Sequence, residues 1–391
     1  MLPEGWRNTI ISEACELING RGFKPHEWSR KGLPIIRIQN LNGSQEYNFY
    51  SGEFDKKILV QDGQLLFAWS GSKGTSFGPH IWNGPNGLLN YHTWKVLPKP
   101  SANILFLNQY FRYITSHIEN KSHGASALVH TQKGEMENIS ILLPPLPEQK
   151  KIAAILSTWD RAIEGTEKLL ANSQQQKKAL MQQLLTGKKR LPGFTGEWGT
   201  KKLKDISRVY DGTHQTPDYV EIGVPFYRVE HLTSGKFNNT KFVSEEIYQN
   251  ESKKRKIEKN DILLTRIGDI GTAKLIDWDV RASFYVSLAL IKANKIMSPK
   301  FFECALNSEA FKRELWHRTI HVAFPKKINL GDIGDCSICF PPFPEQKAIA
   351  AVLTTADEDI IALESDLARL RQEKKALMQQ LLTGKRRVMV D

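Results

Sequence analysis

The sequence predicts a mixed α/β (α+β) protein in which two similar globular domains are each followed by one long helix. Two observations lead to this fold class. The chain of 391 residues contains one segment twice, and that segment has helical apolar spacing between a proline and a glycine. The rest of the chain consists of short alternating runs typical of strands, with shorter helices between them. The length alone suggests two or three domains.

The repeated segment is long and free of gaps. Residues 144–190 begin PPLPEQKKIAAIL and end KKALMQQLLTGKKR, and residues 341–387 begin PPFPEQKAIAAVL and end KKALMQQLLTGKRR. The offset is 197 throughout, and 30 of the 47 aligned positions are identical. Upstream, QLLFAWSGSKG matches DILLTRIGDIG at the same offset. The chain therefore divides into a globular domain at 1–143, a helix at 144–190, a second globular domain at 191–340 and a second helix at 341–391.

Each repeat has the start and stop signals of one helix. Pro147 suits the first turn and Gly187 suits the residue after the end, as do Pro344 and Gly384. About 39 residues separate them, which corresponds to roughly 58 Å of helix. Apolar residues recur with alternating spacings of three and four, which predicts a coiled coil but leaves its orientation open. These heptad positions are Ile152, Ile155, Trp159, Ile163, Leu170, Leu180 and Leu184, then Ile349, Val352, Ile360, Leu363, Leu367, Leu370, Leu377 and Leu381.

Two unrelated coiled coils, each binding elsewhere, are the alternative to mutual pairing of the helices. The matched lengths favour pairing. Near-identity over both faces of the KKALMQQLLTG run further indicates that both repeats meet the same kind of partner.

The globular domains show weaker local signals. The run PIIRIQNL at 34–41 alternates as a half-buried strand does. Residues 109–120 and 299–317 have the spacing of amphipathic helices.

Composition restricts the class of protein. Hydrophobic residues make up 40% and charged residues 25%, an ordinary globular mixture. No run is long and apolar enough for a membrane span, and the first residues lack an apolar signal-peptide core. Four cysteines fit a reducing setting, so we expect a cytoplasmic protein. The excess of 54 Lys and Arg over 42 Asp and Glu, a net charge of +12, suggests a polyanionic partner.

Catalytic motifs were sought without success. The sequence has no P-loop, no GxGxxG turn, no nucleophile elbow and no HExxH. Each Pro-Pro pair follows Leu143 or Phe340, so the (Asn/Asp)-Pro-Pro-aromatic motif that holds an extruded base is absent. Cys336 and Cys339 form CxxC, but their counterparts in the first domain are apolar, which predicts core packing and no metal site.

The duplicated PPLPEQKKIA and PPFPEQKAIA, the duplicated KKALMQQLLTGK, and GQLLFAWSGSKGTSF with LPEGW at the start together carry a family resemblance. On these motifs the chain resembles the DNA specificity subunits of Type I restriction–modification systems, and the resemblance covers essentially its whole length.

The resemblance implies a non-catalytic subunit in which each globular domain recognises one half of a bipartite, asymmetric site in double-stranded DNA. The two helices would pack as an antiparallel coiled coil with pseudo-twofold symmetry and would set the spacing between half-sites. They would also dock two methyltransferase (modification) subunits and further restriction subunits. S-adenosylmethionine, ATP and Mg²⁺ are then expected on the partners, and no cofactor is expected in this chain.

Candidate DNA contacts follow from comparing the two domains. Shared features, such as Arg37 with Arg228 and the glycine pairs 71/268 and 74/271, are candidates for framework or phosphate contacts, while neighbouring side chains that differ are candidates for base contacts. An ion pair within the domain is the alternative role for the two arginines. The candidate DNA-binding residues are Arg21, Lys24, Arg37, Gln39, Asn40, Ser72 and Lys73 in the first domain, and Thr213, His214, Gln215, Arg228, Glu230, His231, Arg266 and Asp269 in the second.

Two other functions stay open on the residues alone. One is a coiled-coil scaffold whose two ligand-binding domains have targets other than DNA, which would show no DNA affinity. The other is a self-contained enzyme with an unrecognised site, which would be active as a purified chain.

Overall fold

The computed structural model describes residues 2–121 and 128–390, with side chains at 120 and 121 left out. The chain folds into two compact units, one made of Met1–Glu167 with Ser365–Asp391 and the other of Lys168–Glu364. Both units mix strands and helices, as the sequence predicts. Each unit contains one globular domain together with parts of both repeated helices.

Unit 1 contains the first twelve strands. They are β1 (Arg7–Ile10), β2 (Cys15–Asn19), β3 (Leu33–Ile36), β4 (Asn48–Tyr50), β5 (Leu59–Val60), β6 (Leu65–Ala68), β7 (Ser70–Ser72), β8 (Gly78–Ile81), β9 (Gly87–Leu89), β10 (Thr93–Pro98), β11 (Leu128–His130) and β12 (Ser140–Leu143). Its helices are α1 (Ile11–Ala14), α2 (Ile38–Leu41), α3 (Ile104–Lys121) and α4 (Lys133–Glu137), with short 3-10 turns at Pro25–Glu27 and Lys56–Ile58, before α5 (Leu146–Leu184).

Unit 2 contains ten strands and is built in the same order. The strands are β13 (Gly199–Lys202), β14 (Ser207–Asp211), β15 (Tyr219–Val220), β16 (Val224–Tyr227), β17 (Lys241–Val243), β18 (Ile262–Ile267), β19 (Asp269–Leu275), β20 (Ser283–Phe284), β21 (Leu288–Ala293) and β22 (Ser337–Phe340). The helices are α6 (Leu203–Ile206), α7 (Val229–Ser234), α8 (Glu245–Arg255), α9 (Pro299–Leu306), α10 (Glu309–Arg318) and α11 (Leu330–Gly334), before α12 (Phe343–Leu381).

Equivalent sheets occur in the two units. The order β2-β10-β6-β8 in unit 1 matches β14-β21-β18-β19 in unit 2, with antiparallel neighbours. A second sheet in each unit contains one parallel pair, β3 with β9 and β16 with β20. The first strand of each unit pairs with the strand that precedes the long helix, β1 with β12 and β13 with β22.

The two long helices have the predicted extent. Both α5 and α12 are 39 residues long, and each begins one residue before its proline. Gly187 and Gly384, at φ +69° and +70°, lie just beyond the ends in the left-handed region that glycine adopts without strain. All fifteen apolar heptad residues are buried or half-buried.

The core of each unit is completed by parts of both long helices. In unit 1, Ile152 and Leu156 of α5 lie in the same apolar cluster as Leu381 and Leu382 at and beyond the end of α12. In unit 2, Leu184 and Leu185 lie in one cluster with Ile349 and Leu353. These sets are related by the 197-residue offset, so each domain buries the beginning of one repeat and the end of the other.

Polar contacts between the helix segments repeat in the same way. In unit 1, the buried Lys374 pairs with Asp160, whose carboxylate also accepts a hydrogen bond from Gln109 Nε2 at 2.6 Å. In unit 2, Lys177 pairs with Asp357. Both lysines stand at heptad positions, and each lies 197 residues from its counterpart.

The PEQ motif at the start of each long helix has a double structural role. Glu148 accepts hydrogen bonds from Arg387, and Glu345 accepts two from Arg190 at 2.6 Å. The neighbouring glutamine binds backbone only. Gln149 accepts from Asn103 N and donates to Ser101 O and Pro144 O, and Gln346 does the same with Ser298 N, Ile296 O and Pro341 O.

Two local predictions were wrong. The run 34–41 is a strand only to Ile36, and Arg37 N-caps the short helix α2. That strand is buried on both faces, since the consecutive residues Pro34, Ile35 and Ile36 are all buried, and it lies between β4 and β9 in its sheet. The predicted single helix at 299–317 is two helices, because the Ser308 hydroxyl accepts the Phe311 amide hydrogen and starts α10 anew.

Cys336 lies in the unit 2 core, where burial raises its pKa to about 12, and Cys339 is half-buried. Across residues 2–121 and 128–390, no helix combines the length and the apolarity that a membrane crossing requires.

Asp160→Asn is expected to lower the free energy of unfolding by about 2 kcal/mol at pH 7, because the Lys374 ammonium would stay buried beside a neutral amide. Urea denaturation measures this change. Asp366→Asn, on the helix that carries Lys374, is the control, since it breaks an exposed pair with Arg369 and should hardly move the midpoint.

The difference between Asp160→Asn and the wild type should depend on pH. Burial raises the pKa of Asp160, but hydrogen bonds from Lys374 and Gln109 outweigh it and hold the pKa below its ordinary value. A carboxyl group with a lowered pKa stabilises the fold above its unfolded pKa of about 3.9, and this stability is lost as the pH falls through the folded pKa. The gap should therefore close in strong acid, and a constant gap would contradict the assignment.

Candidate nucleic-acid interface

In each unit, three chain segments meet at the carboxyl ends of the two parallel strands. In unit 1, the Asn90 amide donates to Ile36 O at 3.0 Å, which joins the end of β9 to the end of β3. The Arg21 amide donates to Leu89 O at 2.9 Å, which brings in the segment after β2. We call residues 20–28, 37–40 and 90–92 the strand-end cluster of unit 1.

Unit 2 repeats this arrangement bond for bond. The Tyr285 amide donates to Tyr227 O at 3.0 Å, and the Thr213 amide donates to Phe284 O at 3.0 Å. The strand-end cluster of unit 2 therefore consists of residues 212–217, 228–231 and 285–287. Two of the three segments contain predicted site residues in each unit.

A glycine makes the crossing possible in both clusters. A Cβ added at Gly20 would lie 2.0 Å from Asn90 O, and one added at Gly212 would lie 2.4 Å from Tyr285 O. No side chain fits at such distances. The polar segments GRGFKP at 20–25 and DGTHQTP at 211–217 thus share a glycine for a steric reason.

Asn40 and His231 occupy equivalent buried positions. The Arg37 amide donates to Asn40 Oδ1 at 3.0 Å, and the Arg228 amide donates to His231 Nδ1 at 2.9 Å. The far end of each side chain bonds a loop carbonyl, Asn40 Nδ2 to Glu46 O and His231 Nε2 to Asn239 O. These predicted site residues hold the cluster together from inside.

Arg266 is also internal, and its counterpart is Trp69. Its Nη1 donates to Val286 O at 2.9 Å, and the Trp69 indole donates to the equivalent carbonyl, Tyr91 O, at 2.9 Å. Only 8% of Arg266 is exposed, and burial lowers the pKa of its guanidinium. Thr213 is buried as well.

The other predicted residues reach the surface. Arg21, Arg37 and Arg228 are half-buried, and the exposed ones are Lys24, Gln39, Ser72, Lys73, His214, Gln215, Glu230 and Asp269. Several of these already have local partners: Lys73 Nζ donates to Glu119 O at 2.9 Å, Gln39 Nε2 donates to Glu46 O at 3.2 Å, and Asp269 accepts from the Thr265 hydroxyl at 2.8 Å.

The glycine pairs are not conformationally alike. Gly268 and Gly271 have positive φ, as does Gly74, whereas Gly71 does not. A Cβ on Gly71 would instead lie 2.6 Å from Ser76 Oγ.

The unit 1 cluster combines cationic and aromatic side chains. The Arg21 guanidinium lies 4.8 Å from the Phe23 ring centre and pairs with Glu27. Arg37 lies 5.6 Å from the ring of Trp28, which is 39% exposed, and its Nε has no hydrogen-bond partner among the described residues. That Nε is itself buried, so it is not open to a ligand at the surface, and the structural ion pair considered for Arg37 is not formed with any described residue.

The unit 2 cluster is more acidic. Arg228 pairs with Glu230 at 3.3 Å, and both side chains are exposed enough for the pair to be weak. Asp211 contacts His214 and Arg255. Burial raises the pKa of Asp211. The hydrogen bond from His214 and the nearby positive charges of Arg255 and Arg266 outweigh burial, so the pKa of Asp211 is lowered overall.

The third segment of each cluster was missed by the sequence analysis. Tyr91 is 48% exposed and its ring lies tilted against that of His92, with ring centres 3.7 Å apart, and Val286 stands at the corresponding place in unit 2. Only the parallel pairing of strands about 55 residues apart brings these residues to the site, and no local pattern signals it.

Equivalent clefts lie beside the second half of each repeated segment. In unit 1 a cleft of about 560 Å³ runs between α3 and α12, and in unit 2 one of about 430 Å³ runs between α10 and α5. Both are lined by the same four repeated residues, which are Lys177, Lys178, Met181 and Gln182 in one and Lys374, Lys375, Met378 and Gln379 in the other.

In the described part of the chain, no three His, Cys, Asp or Glu side chains gather as a metal site. The strand-end clusters offer hydrogen-bond donors, acceptors and aromatic rings on a fixed backbone, which suits recognition of a polar polymer such as DNA.

A family model described as "Type I restriction modification DNA specificity domain" matches the chain twice, at residues 3–172 and 195–370. Among proteins of similar sequence, the Type I restriction enzyme MjaVIII specificity subunit of Methanocaldococcus jannaschii is 27% identical over 426 residues, covering 99% of this chain and 94% of that protein. The EcoBI specificity subunit of Escherichia coli is 24% identical, covering 98% and 86%.

Solved structures share the fold at low sequence identity. The S subunit of a Type I restriction–modification system from M. genitalium superposes with a TM-score of 0.60 at 16% identity, covering 96% of each chain. A chain from work on complex assembly and conformational transition of the type I R-M system gives the same TM-score and identity, covering 99% of this chain and all of that one.

Arg266→Met should lower the free energy of unfolding by about 2 kcal/mol, because it leaves Val286 O and Ile328 O without their guanidinium donor. Chemical denaturation of the full chain measures the loss. Arg208→Met, at an exposed position of β14, is the control and should leave the midpoint unchanged. Equal stability of both variants would show that the Arg266 hydrogen bonds contribute nothing to the framework.

Proposed function

The chain belongs to the family of Type I restriction–modification DNA specificity domains, and from this membership we propose that each of its two units recognises one half of a bipartite DNA site. Its function is DNA sequence recognition, and it is a non-catalytic subunit. The observation that carries the proposal is the pair of strand-end clusters, whose backbone hydrogen bonds correspond while their exposed side chains differ.

The differing side chains supply the base contacts in this proposal. In unit 1, Gln39 and Lys73 present donors that suit purine edges, and Gln39 also presents an acceptor. Unit 2 presents Glu230 at the place of Gln39 and Asp269 at the place of Ser72, and both carboxylates can accept from cytosine. Different chemistry on a common framework supports half-sites of different sequence, and hence an asymmetric target.

Arginines common to both units supply phosphate contacts in the same proposal. Arg37 is half-buried and forms no ion pair with a described residue, and Arg228 has a weak ion pair with Glu230 that a phosphate can replace. Arg21, Lys24, Ser72, His214 and Gln215 are the further proposed contacts at the surface. Asn40, Thr213, His231 and Arg266 are assigned a supporting role, because their side chains are buried beneath the cluster.

The long helices are proposed to pair as an antiparallel coiled coil with pseudo-twofold symmetry, and so to act as the spacer between half-sites. The corresponding pairs Asp160–Lys374 and Asp357–Lys177 support this, because each joins an early position of one helix to a late position of the other. The pairing of Glu148 with Arg387 and of Glu345 with Arg190 agrees in direction and register. A pseudo-twofold protein matches the approximate dyad of duplex DNA.

We propose that the recognition domains span residues 1–143 and 191–340 and that the helical regions span residues 144–190 and 341–391. The helical regions are proposed to dock two methyltransferase subunits, one at each of the equivalent clefts. Restriction subunits would join that assembly, and S-adenosylmethionine, ATP and Mg²⁺ would bind the partners. Such a complex acts on chromosomal DNA, so we propose a cytoplasmic location.

Deleting the chain from cells that retain the rest of the locus should abolish one split, asymmetric adenine-methylation motif. Genome-wide sequencing of modified bases, compared with the intact cells, gives both half-sites and their spacing at once. Unchanged methylation in cells where the partners are expressed and co-purify with the chain would refute DNA specificity and favour the scaffold function.

Replacing residues 213–217 by a different sequence tests whether each unit recognises one half-site. The segment belongs only to the unit 2 cluster, so the new motif should change in one half and keep the other half and the spacing. A change in both halves would refute one recognition unit for each half-site.

Charge reversal in the clefts tests the docking proposal. Lys178→Glu or Lys375→Glu alone should reduce the purified complex from two methyltransferase subunits to one, and the double variant should bind none, because each cleft loses the charge its partner meets. Native mass spectrometry counts the subunits. Arg369→Glu, exposed on the same helix as Lys375 but outside the cleft, is the control, and two bound subunits on the double variant would exclude these clefts.

A further inference from the structure

A hairpin in unit 2 presents two apolar side chains to solvent. Residues 320–327 run between α10 and the core residue Ile328, and near the tip Val322 is 96% exposed and Phe324 is fully exposed. Isolated exposed apolar residues are common, but a fully exposed phenylalanine beside a second exposed apolar residue on a projecting loop is informative.

The base of this hairpin is firmly anchored. The Ile320 amide donates to Lys327 O at 2.8 Å, and the Gly268 amide donates to Lys326 O at 2.9 Å. His321 packs on the Trp316 ring of α10 at 4.2 Å, and Lys326 Nζ lies 5.0 Å from the same ring. The exposed tip is thus carried on an ordered base.

The anchor connects the hairpin to the strand-end cluster of unit 2. Ile328 N donates to Arg266 O at 3.0 Å, and the Arg266 guanidinium donates to Val286 O within the cluster. Asp269, a proposed base contact, follows Gly268 directly and shares a cleft of about 220 Å³ with Lys326. The hairpin tip and the proposed recognition surface therefore belong to one continuous hydrogen-bonded framework.

The charges around the tip indicate the kind of partner. Lys326 and Lys327 follow the exposed Phe324 after one proline. Lys312 and Arg313 are exposed on the adjacent α10, against the exposed acidic Glu309 and Asp269. Lysine is depleted at protein–protein interfaces, whereas an apolar side chain flanked by lysines suits a base step between two phosphates.

We infer that Phe324 is a wedge that inserts between neighbouring base pairs at the edge of the half-site bound by unit 2, with Lys326 and Lys327 on the flanking phosphates. The inference rests on the proposed function and deepens it. Inserted Phe side chains partly unstack a base step and kink the duplex. In the sequence, the residue of the first globular domain that corresponds to Phe324 at the 197-residue offset is Ala127. The distortion is therefore expected on one side of the site only.

The test uses the complex of the chain with its methyltransferase subunits and a duplex carrying the methylation motif. 2-Aminopurine is placed in turn at each position in and beside the unit 2 half-site. For the wild type, fluorescence should rise at one step at the edge of that half-site, because the base there loses its stacking. Phe324→Ala should abolish this rise and weaken specific binding about tenfold, the value of one lost stacking contact.

Ile222→Ala is the matched control, because Ile222 is 91% exposed in the same unit but lies before β16, at the end opposite Arg228. It should leave both signals unchanged. Phe324→Leu should keep part of the fluorescence rise, since leucine also serves as a wedge. The pair Lys326→Gln with Lys327→Gln should weaken specific and non-specific binding alike and reduce the salt dependence by about two phosphate contacts.

The outcomes separate the inference from the proposed function. If the wild-type complex binds its motif and Phe324→Ala behaves as the wild type does, the wedge is wrong and DNA recognition stands. Weaker assembly with the methyltransferase at unchanged DNA affinity would make Phe324 a protein contact and also overturns the wedge. If the wild-type complex shows no preference for the motif, DNA recognition itself fails, and the wedge fails with it.

Discussion

The structure depends on the burial of apolar side chains from two distant parts of the chain in one core. Ile152 and Leu156 from the start of the first repeat share a cluster with Leu381 and Leu382 from the end of the second. Neither recognition domain completes its core with its own helix alone. Burying one such side chain is worth about 1.5–3 kcal/mol, so these contacts hold the ends of the chain together. The repeats are identical at these positions because each repeat must fit the core of one unit with its start and the core of the other unit with its end.

The polar residues of the repeat follow from the same requirement. Glu148 is almost fully buried and needs the Arg387 guanidinium, and Gln149 beside it satisfies three backbone groups that would otherwise stay unpaired. A buried carboxylate tolerates few alternative partners. The acid and its arginine therefore also fix which segments can pair, and the repetition of both in the second unit selects the same pairing there.

The sequence predicted the long helices well, because proline, glycine and heptad spacing are local signals spread over 39 residues. It failed where non-local pairing decides. Alternation in the run at 34–41 suggested an exposed face, but tertiary packing buries both faces of β3, where Ile36 clusters with Leu66 and Leu88. Arg266 was a reasonable candidate for DNA contact by charge, and the 197-residue offset aligns it with Trp69, but only the structure shows that both side chains donate inward to equivalent carbonyls. The segment at Tyr91 carried no local signal at all.

The comparison of Trp69 with Arg266, and of Asn40 with His231, explains how one framework can serve two different half-sites. In each pair an unlike side chain makes the same backbone hydrogen bond, so the position of the cluster is preserved while its sequence changes. The exposed residues beside them carry no such obligation to the fold. Because the ion pair of Arg228 with Glu230 is exposed, replacing either residue should cost little stability. Under the proposed function, separate sets of residues therefore serve stability and DNA contact, so the two units can diverge in recognition while their cores stay alike.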